Sequence, residues 1–250
     1  MKTIQLTKKN IFLGNLILVN ANTPINDQYY SIVHDLMPLH SILENISLTT
    51  QSSQQLLKLL HACDGTNKII PISGYRSLYE QIKILNDCLI ENGAEFTNKY
   101  VAKPNCSEHQ TGLAIDVAEN SSNIEFICPN FPYTGICQQF RVKAADYGFI
   151  ERYPSNKVHI TGIASEPWHF RYVGFPHSKI MCENGFTLEE YLDFIKQYNT
   201  KRPFIYINKQ SKIKISFIKI YDSAMFLNVL DKPWQISGNN TDGIVYTQWT

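Results

Sequence analysis

Over the first two hundred residues the apolar positions change period repeatedly, and each change marks an element. Leu16, Ile17, Leu18 and Val19 form a short unbroken run that predicts a strand. Residues 23–45 carry Pro24 and Pro38 and show no period. From 52 to 63 the spacing turns helical, with Leu56, Leu57, Leu59 and Leu60 recurring on one face. Residues 68–73 return to a strand, and Pro71 inside it points to an edge or an irregularity, because proline donates nothing to a ladder. Ser77-Leu78-Tyr79-Glu80 is a capping box, whose hydroxyl and carboxylate satisfy amides that a helix start leaves open. It predicts a helix carrying Ile82, Leu85 and Leu89 and stopping at Asn92-Gly93. Residues 134–147 read as a helix closed by Gly148. Residues 149–153 and 159–163 bracket a turn at Pro154, 168–173 alternate as a strand, and 178–183 and 188–198 read as short helices.

Past Lys201-Arg202-Pro203 the pattern is almost purely β: 204–207, 213–220, 225–229 and 244–249, with a turn at Asn240-Thr241-Asp242-Gly243. The expected organisation is an α+β domain over residues 1–200 and a small β-rich appendage over 201–250, the latter a dimer contact, a shield or a binding module. A chain of 250 residues with 44% hydrophobic and 18% charged residues can bury a full core. Its net charge of +1 gives no basic surface for nucleic acid or anionic lipid. Lys8 and Lys9 before the apolar run 11–19 faintly imitate a secretion signal. Asn15 interrupts that run and no small-x-small cleavage site follows, so a cytoplasmic protein without membrane insertion is expected. The six cysteines form no C-x-x-C pair and are read as reduced, mostly buried side chains.

Candidate chemistry begins at Ser107-Glu108-His109-Gln110-Thr111-Gly112-Leu113-Ala114-Ile115-Asp116. The second half alternates as a strand whose Leu113, Ile115 and Val117 face a core, which puts Asp116 on the opposite face with only Ala114 beside it. Gly112 permits a tight turn between loop and strand. His109 and Asp116 alone are weak evidence: with seven histidines and ten aspartates in the chain, such a pair arises by chance about once in four sequences. An Asp bonded to a turn and a satisfied surface His would account for it equally. A second stretch, Glu166-Pro167-Trp168-His169-Phe170-Arg171, places His169 on a strand. On a plain strand Glu166 would point away from it, but Pro167 breaks the regularity and can turn the carboxylate back. Two histidines and one aspartate make an open three-ligand set suited to zinc, with a fourth position for water. Such a centre keeps net positive charge, and Glu166 is left to accept a proton.

Together the two stretches resemble the zinc D-alanyl-D-alanine peptidases of VanX, VanY and VanXY type, and most of all the bifunctional VanXY branch. Ser107, His109, Gly112, Ala114 and Asp116 match every fixed position of S-x-H-x-x-G-x-A-x-D, a match that chance supplies about once in ten thousand or less. Glu166 and His169 match E-x-x-H, and Ser73-Gly74-Tyr75-Arg76-Ser77 with Gln81 matches a third block. The likeness extends from about residue 14 to 200 and implies a small central antiparallel sheet flanked by helices around an open zinc site. It implies Zn2+ held by His109, Asp116 and His169, Glu166 as catalytic base, and Arg76 at the oxyanion of the scissile bond. Arg76 also stands just before the capped helix, where negative charge is favoured. Ser107 is implied as a donor to the substrate's terminal carboxylate, or else it caps a turn. Gln81 could enter the same pocket or be a solvated helix residue, and Tyr153 and Trp168 could line the cleft or simply fill the core. The implied substrates are D-Ala-D-Ala and peptidoglycan precursor stems, in support of glycopeptide resistance. A homodimer is one assembly left open; an exported L,D-type endopeptidase and a silent stem-binding protein are the other readings of function, and Glu166 speaks against the last because binding needs no base. Residues 119–135 are long enough to form a lip over the cleft. Glu151 stands where the family it resembles usually has an apolar residue, and Cys106 adjoins the implied zinc loop.

Overall fold

Four strands join in one antiparallel sheet, in the order Ile69–Ser73, Ala114–Glu119, Glu166–Tyr172 and Phe149–Tyr153. The computed structural model describes residues 2–29, 35–39, 46–208, 211–221 and 224–250, so parts of the aperiodic segment 23–45 lie outside the described residues. Alternation sorts the two faces as expected. Leu113, Ile115 and Val117 are all buried, and Ile115 pairs with Phe170 across the strands. On that side Phe170 meets Phe131 and Phe140 edge to face, with ring centres 4.9–5.6 Å apart. Phe140 comes from the helix Gly135–Ala144, which packs on the helix Thr50–Ala62 through its buried Leu56, Leu59 and Leu60 side. Each such side chain removed from water contributes about 1.5–3 kcal/mol. This is the small flanked sheet that the resemblance implies.

The other face carries polar groups in one row. Ser73 pairs with Asp116, and Asp116 pairs with His169, so three side chains from three strands stand side by side. Two irregularities set that row. Between Pro71 and Ser73 the edge strand advances two residues while its partner advances one. Between Glu166 and Phe170 four steps oppose only two, from Glu151 to Tyr153. An inserted residue re-aims the side chains beside it, and both prolines sit where this happens. The helix Leu78–Tyr100 starts on the expected box, with Ser77 Oγ accepting from the Glu80 amide and the Glu80 carboxylate from the Ser77 amide. It breaks at Gly93 (φ +76°), as its sequence predicts, but resumes to Tyr100. Residues 159–161 fall in the short helix Val158–Thr161.

The division of the chain differs from a cut at residue 200. One compact unit comprises residues 20–24 and 31–187, and the other residues 1–19, 25–30 and 188–250. The second unit holds a four-stranded antiparallel sheet in the order Trp234–Gly238, Gly243–Trp249, Lys212–Lys219, Phe204–Ile207. Its N-terminal part enters through Lys2–Leu6, which pairs with Met225–Val229. The strand expected at 16–19 is not one. Leu16, Ile17 and Val19 are buried, but the Leu16 amide donates to Ser237 Oγ (2.7 Å), the Leu18 amide to Asn239 O (3.4 Å), and Asn240 Nδ2 donates to Leu18 O (2.8 Å). Side chains and a turn satisfy this backbone, so no ladder forms.

Candidate metal centre

The loop before Asp116 is tied at both ends. Glu108–Thr111 makes one tight helical turn, and Gly112 leaves it at φ +64°, a left-handed conformation that a side chain would strain. Gly112 O accepts from the Thr49 amide (2.9 Å) and Ser52 Oγ (3.1 Å) at the start of the helix Thr50–Ala62. The Arg76 amide donates to His109 O (3.2 Å), and His109 Nδ1 donates to Gly74 O (2.8 Å). With Nδ1 spent on a carbonyl, Nε2 is the free nitrogen of His109, and it lies 3.1 Å from Asp116 Oδ2. His169 Nδ1 approaches Asp116 Oδ1 at 2.9 Å and Glu166 Oε2 at 3.6 Å. The ligating atoms of His109, Asp116 and His169 all lie within 4.8 Å of one another, and all three residues are buried. Two imidazole nitrogens and a carboxylate oxygen converging in this way fit a borderline divalent cation.

Charge supports the fit. Asp116, Glu166 and Glu108 surround His169, a buried set of acids that calls for positive charge. Burial alone would raise the Asp116 carboxyl, but the two imidazoles hold it well below the usual range. Burial, then the Arg76 guanidinium, pushes His109 down to about 4. Burial would lower His169 too, yet its bonds to Asp116 and Glu108 carry it up to about 9. Glu166 is pushed up to about 8, mainly by burial and then by Asp116 against the pull of His169. Burial thus penalises the charged form of Glu166, a penalty that a cation beside it would relieve.

The remaining expected residues fall around a cavity of about 230 Å3 lined by Arg76, Ser107, Tyr153, Glu166 and Trp168 together with the three candidate ligands. Arg76 Nη2 donates to Asp116 Oδ2 (3.0 Å) and Nε to Ser73 Oγ (2.8 Å). Tyr153 lies against the His169 ring, centre to centre 4.9 Å. Phe126 and Ile127 of the segment 119–135 reach the same cavity, so that segment does form part of its rim. Gln81 is neither a pocket residue nor solvated. It is fully buried, accepts from Arg76 Nη1 (3.4 Å) and donates to Ala102 O (2.8 Å), and so stands behind the arginine. Glu151 accepts from Arg141 Nε and from Tyr133 Oη, both at 2.6 Å, which makes it an anchor for the rim. One buried trio has no local signature in the sequence. Glu108 Oε1 accepts from Arg152 Nε and lies against Arg171 Nη1, each at 2.8 Å.

A family model described as VanY, D-alanyl-D-alanine carboxypeptidase, matches residues 45–175. The bifunctional D-Ala-D-Ala dipeptidase and D-Ala-D-Ala carboxypeptidase VanXYC of Enterococcus gallinarum is 39% identical over 186 residues, covering 74% of this chain and 97% of the relative. The chain belongs to the VanY D-alanyl-D-alanine carboxypeptidase family. The crystal structure of the vancomycin-resistance D,D-dipeptidase VanXYg, in complex with a D-Ala-D-Ala phosphinate analogue, aligns over 100% of this chain and 99% of its own. Its TM-score is 0.95 at 47% identity. A mutant of the D,D-pentapeptidase VanY from a VanB-type resistance cassette, in complex with Zn(II), matches at a TM-score of 0.57 and 31% identity, covering 71% of this chain and 98% of that one.

Proposed function

We propose that this protein is a zinc-dependent D,D-peptidase that hydrolyses D-Ala-D-Ala and removes the terminal D-Ala of peptidoglycan precursor stems. In that role it would support glycopeptide resistance. The observation that carries the reading is the convergence of His109, Asp116 and His169 within 4.8 Å, with the Glu166 carboxylate 3.6 Å from His169. His109 through Nε2, Asp116, and His169 through Nδ1 would hold the ion. Zinc, when bound, supplies a Lewis acid that polarises a carbonyl and lowers the pKa of a water from about 15.7 towards about 7. Glu166, buried beside that position, takes the proton of the attacking water and returns it to the leaving amine of D-Ala. Arg76, fixed by Ser73 and Gln81, offers its guanidinium to the oxygen on which negative charge develops. Ser107 donates to the terminal carboxylate, and Tyr153 and Trp168 wall the cleft.

The precursors such an enzyme consumes are made in the cytoplasm, and we place it there. All six cysteines are free, as a reducing compartment would keep them, and among the described residues no helix is long and apolar enough to cross a membrane. The test is to incubate zinc-loaded protein separately with D-Ala-D-Ala and with a UDP-linked pentapeptide and to quantify free D-Ala. Release from both is expected, and release from neither overturns the reading.

A further inference from the structure

Glu108 is the least exposed acid beside the site, with no accessible side-chain surface, yet it is not one of the three converging ligands. Its Oε1 is engaged by Arg152 and Arg171 from two neighbouring strands. Its Oε2 faces His169 Nε2 at 3.5 Å, and neither of these two buried atoms has a hydrogen-bond partner among the described residues. A buried carboxylate pinned by two guanidinium groups is an expensive arrangement that loses most of its value if one partner is removed. Its one unengaged oxygen is directed at the far nitrogen of a candidate metal ligand.

We propose that Glu108 is a positioning residue for the metal centre: its Oε2 accepts a hydrogen bond from Nε2–H of His169, fixes that tautomer and ring orientation, and so leaves the Nδ1 lone pair for the cation. The neutral imidazole carries one proton on one of two nitrogens, and the hydrogen bond made by one decides which is free to ligate. His109 solves the same problem with the Gly74 carbonyl, through the opposite nitrogen. The two ligands therefore meet the ion through different atoms, His109 through Nε2 and His169 through Nδ1. Arg152 and Arg171 act one step further out, holding Glu108 in place. A carboxylate behind a ligating histidine typically contributes 10–100-fold in metal affinity.

The inference rests on the zinc reading above, and two measurements separate them. In long-range 1H–15N spectra of the zinc-loaded wild-type protein, His169 is expected to show a protonated Nε2 and a metal-bound Nδ1, opposite to His109. In competition with a chromophoric chelator, Glu108→Gln is expected to bind zinc about 10–100-fold more weakly than wild type, and Glu108→Asp to recover part of the loss. A wild type that takes up no zinc overturns the metal reading itself and this inference with it. A wild type that binds zinc through His169 Nε2, or a folded Glu108→Gln with unchanged zinc affinity, overturns this inference alone. The spectroscopic arm needs no variant, so it decides the question even if Glu108→Gln fails to fold.

Discussion

Among the described residues, replacing Glu166 by alanine removes the only carboxylate within 4 Å of His169 Nδ1 other than Asp116, while leaving all three converging candidate ligands in place. Turnover of D-Ala-D-Ala is expected to fall by about 10^2–10^4, the usual contribution of a positioned base, with zinc content by elemental analysis still one ion per chain. Zinc lost in step with activity would make Glu166 a ligand instead. Arg76→Ala tests the oxyanion role. Removing one such donor typically lowers kcat by about 10^2–10^3, and because Arg76 also holds Asp116 Oδ2, a smaller loss of zinc affinity should accompany it. A drop in zinc affinity with kcat unchanged would confine Arg76 to positioning Asp116. At this scale the sequence was most informative where one motif spans the chemistry. His109, Asp116, Glu166 and His169 stood out because two stretches together match one family's motifs, whereas the His–Asp spacing alone arises by chance about once in four sequences. Glu108 was not, since its partners Arg152 and Arg171 lie 44 and 63 positions away on other strands, and no local period records a buried pairing. Gln81 was misplaced for a related reason: helical spacing gives its face, but only the packing of Ala102 against it shows that the face is closed.

Among the elements, the bulges decide where the ligands point. Prolines 71 and 167 foretold irregular strands, but the number of inserted residues depends on the partner strand and could not be read from either segment alone. The segment 16–19 shows the converse: it has a strand's composition, but the partner that satisfies it is a turn with an Asn-rich side-chain set. Gly74 joins the edge strand to the site and has a packing reason to be glycine. A Cβ there would come within 2.4 Å of Ser47 O and 2.9 Å of Ile46 Cγ2, and backbone cannot yield as a flexible side chain does. Ser47 O also accepts from the Tyr75 amide (2.7 Å), so the displaced segment would carry the Gly74 carbonyl off His109. Gly74→Ala is expected to cost about 1–3 kcal/mol in urea unfolding and to weaken zinc binding as well. Gly162→Ala is the control. Its Cβ meets nothing within 4 Å, but its φ of +71° penalises alanine, so stability should fall by about 1–2 kcal/mol with zinc affinity unchanged. Equal zinc affinity in both variants would detach Gly74 from the site.

For the molecule as a whole, the pairing of Lys2–Leu6 with Met225–Val229 explains why a boundary drawn from composition at residue 200 could not match the units. Contacts between chain ends leave no trace in local pattern, whereas the α+β and all-β characters of the two stretches do. Stability against acid is also a property of the whole fold, and His177 should be a measurable part of it. It opens the helix His177–Asn184, is 1% exposed, and burial pushes its imidazole down to about 3. The unfolded chain takes up this proton near pH 6.5, whereas the native state does not do so until about pH 3. Between those values the unfolded state holds more protons, so stability falls as pH falls, by about 1.4 kcal/mol per pH unit for a single such group. Above pH 6.5 both states are neutral and this contribution is constant. Ligand protonation and zinc release act in the same acid range, but they are common to wild type and His177→Gln and cancel in the difference between them. Urea unfolding of both zinc-loaded proteins from pH 7.5 to 4.5 should therefore show parallel behaviour above about 6.5 and a gap that narrows below it, with wild type losing stability faster. Curves that stay parallel throughout would mean that His177 gains its proton in the native state as readily as in the unfolded chain.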